Sequence, residues 1–303
     1  MSKRKSALFL AATFLFASPA LAQTAETLPD ADPAIWVVKD PDTTIYLFGT
    51  FHALDGKSAW FNDEVKTAFD KSSEVVLEIP PVEDKAAIQP LVLKYAGDTS
   101  GKALSDKLSP AAKEKYLKQL AAFGIPQAMF EDKKPFLPAL TIIMANAAKL
   151  GFTGEQGAEA VLTKAAKEGK KPISGLETFD YQMSLFAGMS DADQVKMLEE
   201  TLDEVEKLGP MFAEMNKHWT SGDSEGMAKL MNDMEAQSPS MYKTLLTDRN
   251  VNWAGWIVDR LKKPGTVFVG VGAGHLGGKD SVQAVLKSRG IKSERVAAET
   301  AAK

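Results

Sequence analysis

The chain has 303 residues, 45% of them hydrophobic and 25% charged, with a formal net charge of −4. That is a globular composition with enough apolar material for a substantial core, built as one large domain or two small ones. The acidic balance argues against nucleic acid and anionic membrane surfaces as partners, and the absence of cysteine excludes disulfides and thiolate chemistry.

The first 22 residues stand apart. Lys3, Arg4 and Lys5 precede the apolar run Ala7–Ala17, and Ala20-Leu21-Ala22 supplies a small-x-small cleavage pattern. A signal peptide removed after Ala22 is expected, and with it a periplasmic or secreted protein. The run is shorter than the ~20 residues needed to cross a bilayer. No later stretch is long and apolar enough either, so no membrane span is expected after cleavage. An exported chain without cysteine suits a bacterial periplasm.

Residues 23–303 read as a single domain. Ala34–Lys39 is short, apolar and rich in Val and Trp, and Asp40-Pro41-Asp42 leads from it into the β-branched run Thr43–Thr50, which predicts a β-hairpin. Asn62–Ser73 places Val65, Ala68 and Phe69 at helix spacing. Glu74–Ile79 then reads as a buried strand stopped by Pro80-Pro81. From Lys85 to Lys262 the pattern is mostly helical, with one β-like interruption at Lys171–Glu177 after a helix over Gly157–Glu168. Asp191–Lys207 and Met241–Leu261 are amphipathic by their three- and four-residue spacings. The end returns to β-α-β: strand Thr266–Val271, a Gly-rich turn to His275, helix Asp280–Ser288 and a short strand Ser293–Val296. The fold class is therefore mixed α/β. Segments 34–80 and 264–298 build one central sheet, and they enclose the helical segment 85–262.

The chain has three histidines, and two of them close apolar strand-like runs in the same way: Gly49-Thr50-Phe51-His52 and Gly272-Ala273-Gly274-His275. A glycine three residues before the imidazole allows a sharp turn off the strand end, where α/β sheets place ligand sites. The duplication points to a shared site, and paired imidazoles are typical ligands for a divalent metal. Such a set needs an anionic partner. Glu78, at the end of an otherwise apolar strand, is the candidate, as metal ligand or as general base. The competing reading turns Glu78 outward by strand alternation.

Arg249 lies on the stripe Tyr242, Leu246, Arg249, Trp253 and Trp256, which should face the core. Either it is buried against a carboxylate or anionic ligand, or its stem packs on Trp253 with the head in solvent. Glu159 and Glu177 are candidate partners or supporting groups, although helix capping alone accounts for Glu159. His218 near a helix C-terminus is explained by the helix dipole. Gly270–Gly274 lacks the full dinucleotide fingerprint, and no Gly-x-Ser-x-Gly elbow is present.

Taken together, Trp36, Tyr46–His52, Val75–Glu78, the Gly157/Glu159 helix, Gly175–Thr178, Gln182, Asp248–Asn250 and Val269–Gly277 resemble the TraB/GumN family. Its superfamily includes the animal Tiki metalloproteases. The resemblance implies a fold like that of haem-binding lipoproteins and erythromycin esterases, with His52, Glu78 and His275 in the active site and Arg249 as a polar site residue. It also implies a divalent ion, Mn²⁺, Co²⁺ or Zn²⁺, and hydrolysis of a peptide or small molecule. The alternative it carries is a non-enzymatic protein gripping haem or another ligand at the same place. The chain departs from the family pattern at Pro80, where an acidic residue often stands, which bears on the acidic complement of the site and on how strongly it would bind a metal.

Overall fold

The computed structural model describes residues 28–298. The expected signal peptide, 1–22, lies outside the described residues. Six strands form one mixed sheet: β1 (Ile35–Lys39), β2 (Thr43–Thr50), β3 (Glu74–Leu77), β4 (Ile173–Gly175), β5 (Gly265–Gly272) and β6 (Ser293–Arg295), in the order β4-β3-β5-β2-β1-β6. The hairpin β1–β2 is antiparallel, as the Asp-Pro-Asp turn predicts, and β6 pairs antiparallel to β1. β5 enters between β2 and β3, parallel to both, and β4 extends the parallel part at the edge.

Strand alternation sorts the side chains onto two faces. Phe48, Val75, Leu77 and Phe268 point to one side. There they meet Phe69, Leu162 and Trp219 from the helices Asp63–Lys71, Ala158–Glu168 and Leu208–Thr220. Ile45, Leu47, Val76, Val267, Val269 and Val271 point to the other, under Trp253, Ile257 and Leu286 from the helices Asp248–Arg260 and Val282–Ser288. The near-continuous apolar run of β5 follows from burial on both faces. Part of the helical middle carries its own core, in which Tyr116, Leu120, Ile142, Leu198 and Leu202 pack together. Among the described residues, no helix is long and apolar enough to cross a membrane.

Trp36 lies within β1, with the Arg295 guanidinium 4.9 Å above its ring. One element differs from the sequence reading. The amphipathic run Met241–Leu261 is not one regular helix. Residues Lys243–Thr247 form a π-helical turn between the Pro239–Tyr242 and Asp248–Arg260 helices. One extra residue in a turn shifts the faces downstream, and the buried set there is Arg249, Asn250, Trp253, Ala254 and Ile257.

Candidate active site at the strand ends

The parallel register determines where the site forms. Thr50 of β2 pairs with Gly272 of β5, and Leu77 of β3 pairs with Gly270. All three strands therefore end together. His52 follows two residues past Thr50, Glu78 directly follows Leu77, and His275 follows three past Gly272. The indole N–H of Trp219 donates to the Gly49 carbonyl at 2.8 Å, which fixes the backbone where β2 turns into the first histidine motif.

Gly272 is the floor of the site. A Cβ placed there would lie 3.1 Å from Glu78 Oε1, 3.5 Å from His275 Cδ2 and 3.6 Å from His52 Nε2. The missing side chain leaves open ground on which three chemically active groups face one another. Its N–H also donates to Glu78 Oε1 at 2.7 Å.

His52 is held from behind. Its Nδ1 lies 2.6 Å from Glu159 Oε1, so Nδ1 carries the proton that the carboxylate accepts, and Nε2 faces the open ground. The Glu159 charge raises the His52 pKa above its usual 6.5. Glu78 adds to the effect, while partial desolvation and Arg249 oppose it. Burial alone would raise Glu159, but the adjacent imidazole outweighs it and holds the carboxyl below its ordinary value. Of the two sequence readings of Glu159, supporting group or helix cap, this contact bears on the first. Its helix is capped at Gly157, and the carboxylate turns to His52.

Glu78 is buried, and both its oxygens are occupied. Oε2 accepts from Arg249 Nη2 at 2.5 Å and from Gln182 Nε2 at 3.0 Å. Desolvation would raise this carboxyl. The positive charges of Arg249 and His52, the charged form of His275 and the Gly272 N–H overcome it and keep Glu78 ionised well below the usual carboxylate range. Outward rotation by strand alternation is excluded by these contacts.

Arg249 is buried too, which overturns the solvent-facing alternative, although its guanidinium does lie 4.6 Å over the Trp253 ring. Nε and Nη2 reach both oxygens of Glu177, and Nη1 donates to the Leu245 carbonyl of the π-helical turn. Nη1 also approaches His275 Nε2 at 3.2 Å. Glu177 accepts further bonds from the Trp253 indole and Gln182.

The tautomer of His275 follows from its other neighbour. Asn250 donates through Nδ2 to the Asp280 carbonyl at 2.7 Å, so its Oδ1 is the acceptor that faces His275 Nδ1 at 2.6 Å. Nδ1 therefore carries the proton, and Nε2 offers its lone pair to Arg249. Burial pushes the His275 pKa down to about 3, with Arg249 and His52 adding to the effect and Glu78 opposing it. In neutral solution this imidazole is uncharged.

A cleft of about 980 Å³ opens over His52 and Glu78, walled by Ile79, Pro80, Met144, Phe179 and the amide of Gln182. Apolar walls with a few convergent polar groups are the usual form of a small-molecule or peptide site. His52 is exposed to this cleft, whereas His275 and Arg249 lie buried beneath Glu78.

The structure thus brings His52, Glu78, His275, Arg249, Glu159 and Glu177 to one place in two bonded sets: His52 with Glu159, and a network in which Arg249 joins Glu78, Glu177 and His275. Sequence reasoning gave no role to Asn250, although a polar residue on the apolar stripe 250, 253, 254 and 257 was a visible signal. Trp253 enters the sequence reading only as a packing surface for Arg249, and Gln182 only within the family resemblance; their hydrogen bonds to Glu177 had no sequence signal. His218 stays outside the network, with Nδ1 2.8 Å from Asp223 in the last turn of its helix.

As arranged, the same residues do not fit a three-ligand metal centre. His275 Nε2 stands 3.8 Å from Glu78 Oε1, but the donor atoms of His52, Glu78 and His275 do not all lie within 4.8 Å of one another. Among the described residues, the acidic and histidine side chains that do so are Asp30, Asp32 and Asp63, away from this site. His275 Nε2 already accepts from Arg249, and Glu78 Oε2 from Arg249 and Gln182, while Oε1 accepts from the Gly272 N–H.

Known proteins resemble the chain over most of its length. The chain is 22% identical over 258 residues to the uncharacterized protein YbaP of Escherichia coli (strain K12), covering 84% of this chain and 92% of that one. It is 25% identical over 196 residues to YbaP of Shigella flexneri, covering 64% and 71% of the two chains. An uncharacterized protein of Treponema pallidum (strain Nichols) is 19% identical over 271 residues, 84% of this chain and 80% of that one. No solved structure matches the chain. The TraB/PrgY/gumN family profile matches residues 34–295, both histidine motifs included, and the chain belongs to that family.

Proposed function

We propose that the protein is a hydrolase that cleaves an ester or amide bond, a peptide bond first among them, in a substrate lying in the apolar cleft over His52. One observation carries this reading. A cleft-facing imidazole has its Nδ1 proton tied to a carboxylate that raises its pKa to about 9, and its Nε2, a free base above that pH, stands across open ground from an ionised glutamate.

In this reading Glu159 fixes the His52 tautomer and stabilises the imidazolium that forms when Nε2 takes a proton from an attacking water. The water is held between Nε2 and Glu78 Oε1, which approach one another over Gly272. The imidazolium then returns its proton to the departing alkoxide or amine. Glu78, too weakly basic to take the proton itself, holds the water and adds negative charge beside the developing cation. Asn250, His275 and Arg249 act in series as positioning residues: the amide orients the imidazole, the imidazole accepts from the guanidinium, and the guanidinium holds Glu78. The leader-like residues 1–22 support an exported, periplasmic location for this activity.

The test is turnover of a panel of peptides and aryl esters by the purified protein, with and without chelator. Loss of the general base in His52→Ala should cost roughly 10²- to 10⁴-fold, and activity should persist under chelation. A wild-type protein inert across the panel, or a His52→Ala variant as active as the wild type, sinks the proposal.

A further inference from the structure

The segments that follow β3 and β4 leave the sheet side by side. The Leu176 N–H donates to the Leu77 carbonyl at 2.9 Å, and the Glu177 N–H to the Glu78 carbonyl at 2.8 Å. Thr178 then caps the helix Phe179–Ala187, its hydroxyl accepting from the Tyr181 N–H. The first turn of that helix is thereby set against two carboxylates, and Gln182 reaches both. Its Nε2 donates to Glu78 Oε2 at 3.0 Å and to Glu177 Oε2 at 2.9 Å.

A primary amide has two N–H donors, and both are used here. The flipped amide would set Oε1 against two carboxylates, so the bonding itself fixes which end is which. Oε1 is left over. Among the described residues no hydrogen bond reaches it, yet it is not sealed from solvent, and Gln182 lines the cleft. It is an acceptor oriented by the same bonds that hold Glu78. Phe179, three residues earlier on the same helix, also walls the cleft, and Pro80 and Pro81 after β3 bring no N–H of their own. The lysine donors of the cleft, Lys164 and Lys167, are exposed residues more than a helical turn beyond Glu159. A substrate that displaces water from Oε1 must therefore bring a donor, or leave the oxygen unpaired.

We propose that Gln182 is a specificity-determining residue of the cleft: its Oε1 accepts an N–H of the substrate backbone beside the scissile bond, and an analogue with an ester oxygen in place of that N–H is disfavoured. The inference rests on the hydrolase reading for where the substrate lies, but it is read by binding. An inactive wild type that still discriminates upholds it, and an active enzyme without discrimination overturns it alone.

The probes are N-acetylated, C-amidated tripeptides of leucine and phenylalanine, with matched depsipeptides in which each backbone N–H in turn is replaced by an ester oxygen. Affinities are measured by calorimetry and saturation-transfer NMR on the wild type, Gln182→Met and Gln182→Lys. Methionine removes donors and acceptor at similar bulk, whereas lysine can still donate to Glu78 and Glu177 but cannot accept. In the wild type one N–H position should stand out, its ester analogue binding roughly three- to tenfold more weakly than the parent. That preference should vanish in both variants. A role for Gln182 only in supporting Glu78 would weaken every probe together and leave the preference in place, and that result overturns the proposal. So does a wild type that binds none of the probes, or all of them alike. Either variant alone suffices if the other does not fold, and the wild-type ester scan needs neither.

Discussion

Gly157→Ala tests whether the position of His52 governs activity. The backbone at residue 157 has φ −57, so alanine brings no conformational strain. A Cβ there, however, would stand 2.1 Å from the His52 carbonyl oxygen and 2.7 Å from its carbon, where real Cβ contacts do not fall below 3.0 Å. Relief requires the His52 backbone to withdraw by about 1 Å, and misplacement on that scale costs roughly 10²-fold in rate, or about 2.7 kcal/mol of transition-state stabilisation. The overlap itself should cost about 1–3 kcal/mol of stability. Gly154→Ala is the internal control, since its Cβ would sit an ordinary 4.0 Å from the same oxygen. Steady-state kcat/KM, melting temperature and an NMR titration of the His52 ring are measured on both variants. Gly154→Ala should resemble the wild type. If Gly157→Ala keeps wild-type kcat/KM and an unaltered His52 titration, the reasoning from contact to positioning to rate is refuted.

Two further outcomes follow from the electrostatics. In Glu159→Gln the carboxylate that raises His52 is gone, so its pKa should fall back toward 6.5. Because the proposed base must be neutral, wild-type activity should fall as pH drops through the raised His52 value. In the variant that limb of the kcat/KM profile should move to lower pH, with a lower plateau; an unmoved limb contradicts the pairing. The second outcome concerns stability in acid. His275 is depressed from 6.5 to about 3, so the unfolded chain takes up its proton first and stability should decline as pH falls below 6.5. Glu78 and Glu159 are also depressed, from 4.5, so their contribution is present above that value and is lost as pH falls further. Melting curves from pH 8 to 3 should show decline in two stages, the first absent in His275→Gln.

Much of this was legible in residue pattern because burial leaves a periodic trace. The β-branched runs 43–50 and 266–271 announced strands, and the repeated Gly-x-x-His at their ends announced a common site, since parallel neighbours end on the same side of a sheet. Arg249 was visible as a charge on an apolar stripe. The π-helical turn at Lys243–Thr247 was not. An extra residue in one turn changes a helix's phase without any composition cue, and that phase puts Asn250 beside His275 and turns Trp256 partly aside. The Glu159–His52 bond was hidden for a different reason. A glutamate in the first turn of a helix is sufficiently explained by the helix dipole, and only the packing of Gly157 against the His52 carbonyl aims that turn at the imidazole. Nor could spacing reveal that Arg249 would engage both Glu78 Oε2 and His275 Nε2, because that depends on side-chain reach across three elements.

The insertion of β5 between β2 and β3 also sets an order of assembly. While the chain emerges, its N-terminal strands can form the β1–β2 hairpin, but the slot beside β2 stays vacant until residues 265–272 arrive. Pairings that join distant segments form slowly, because loop closure must precede the contacts that reward it. The floor at Gly272 and the second imidazole are delivered in that same step. A partly made or C-terminally clipped chain therefore has His52 and Glu78 but nothing on which they can converge, and activity should switch on with the last long-range docking event rather than accumulate gradually during folding.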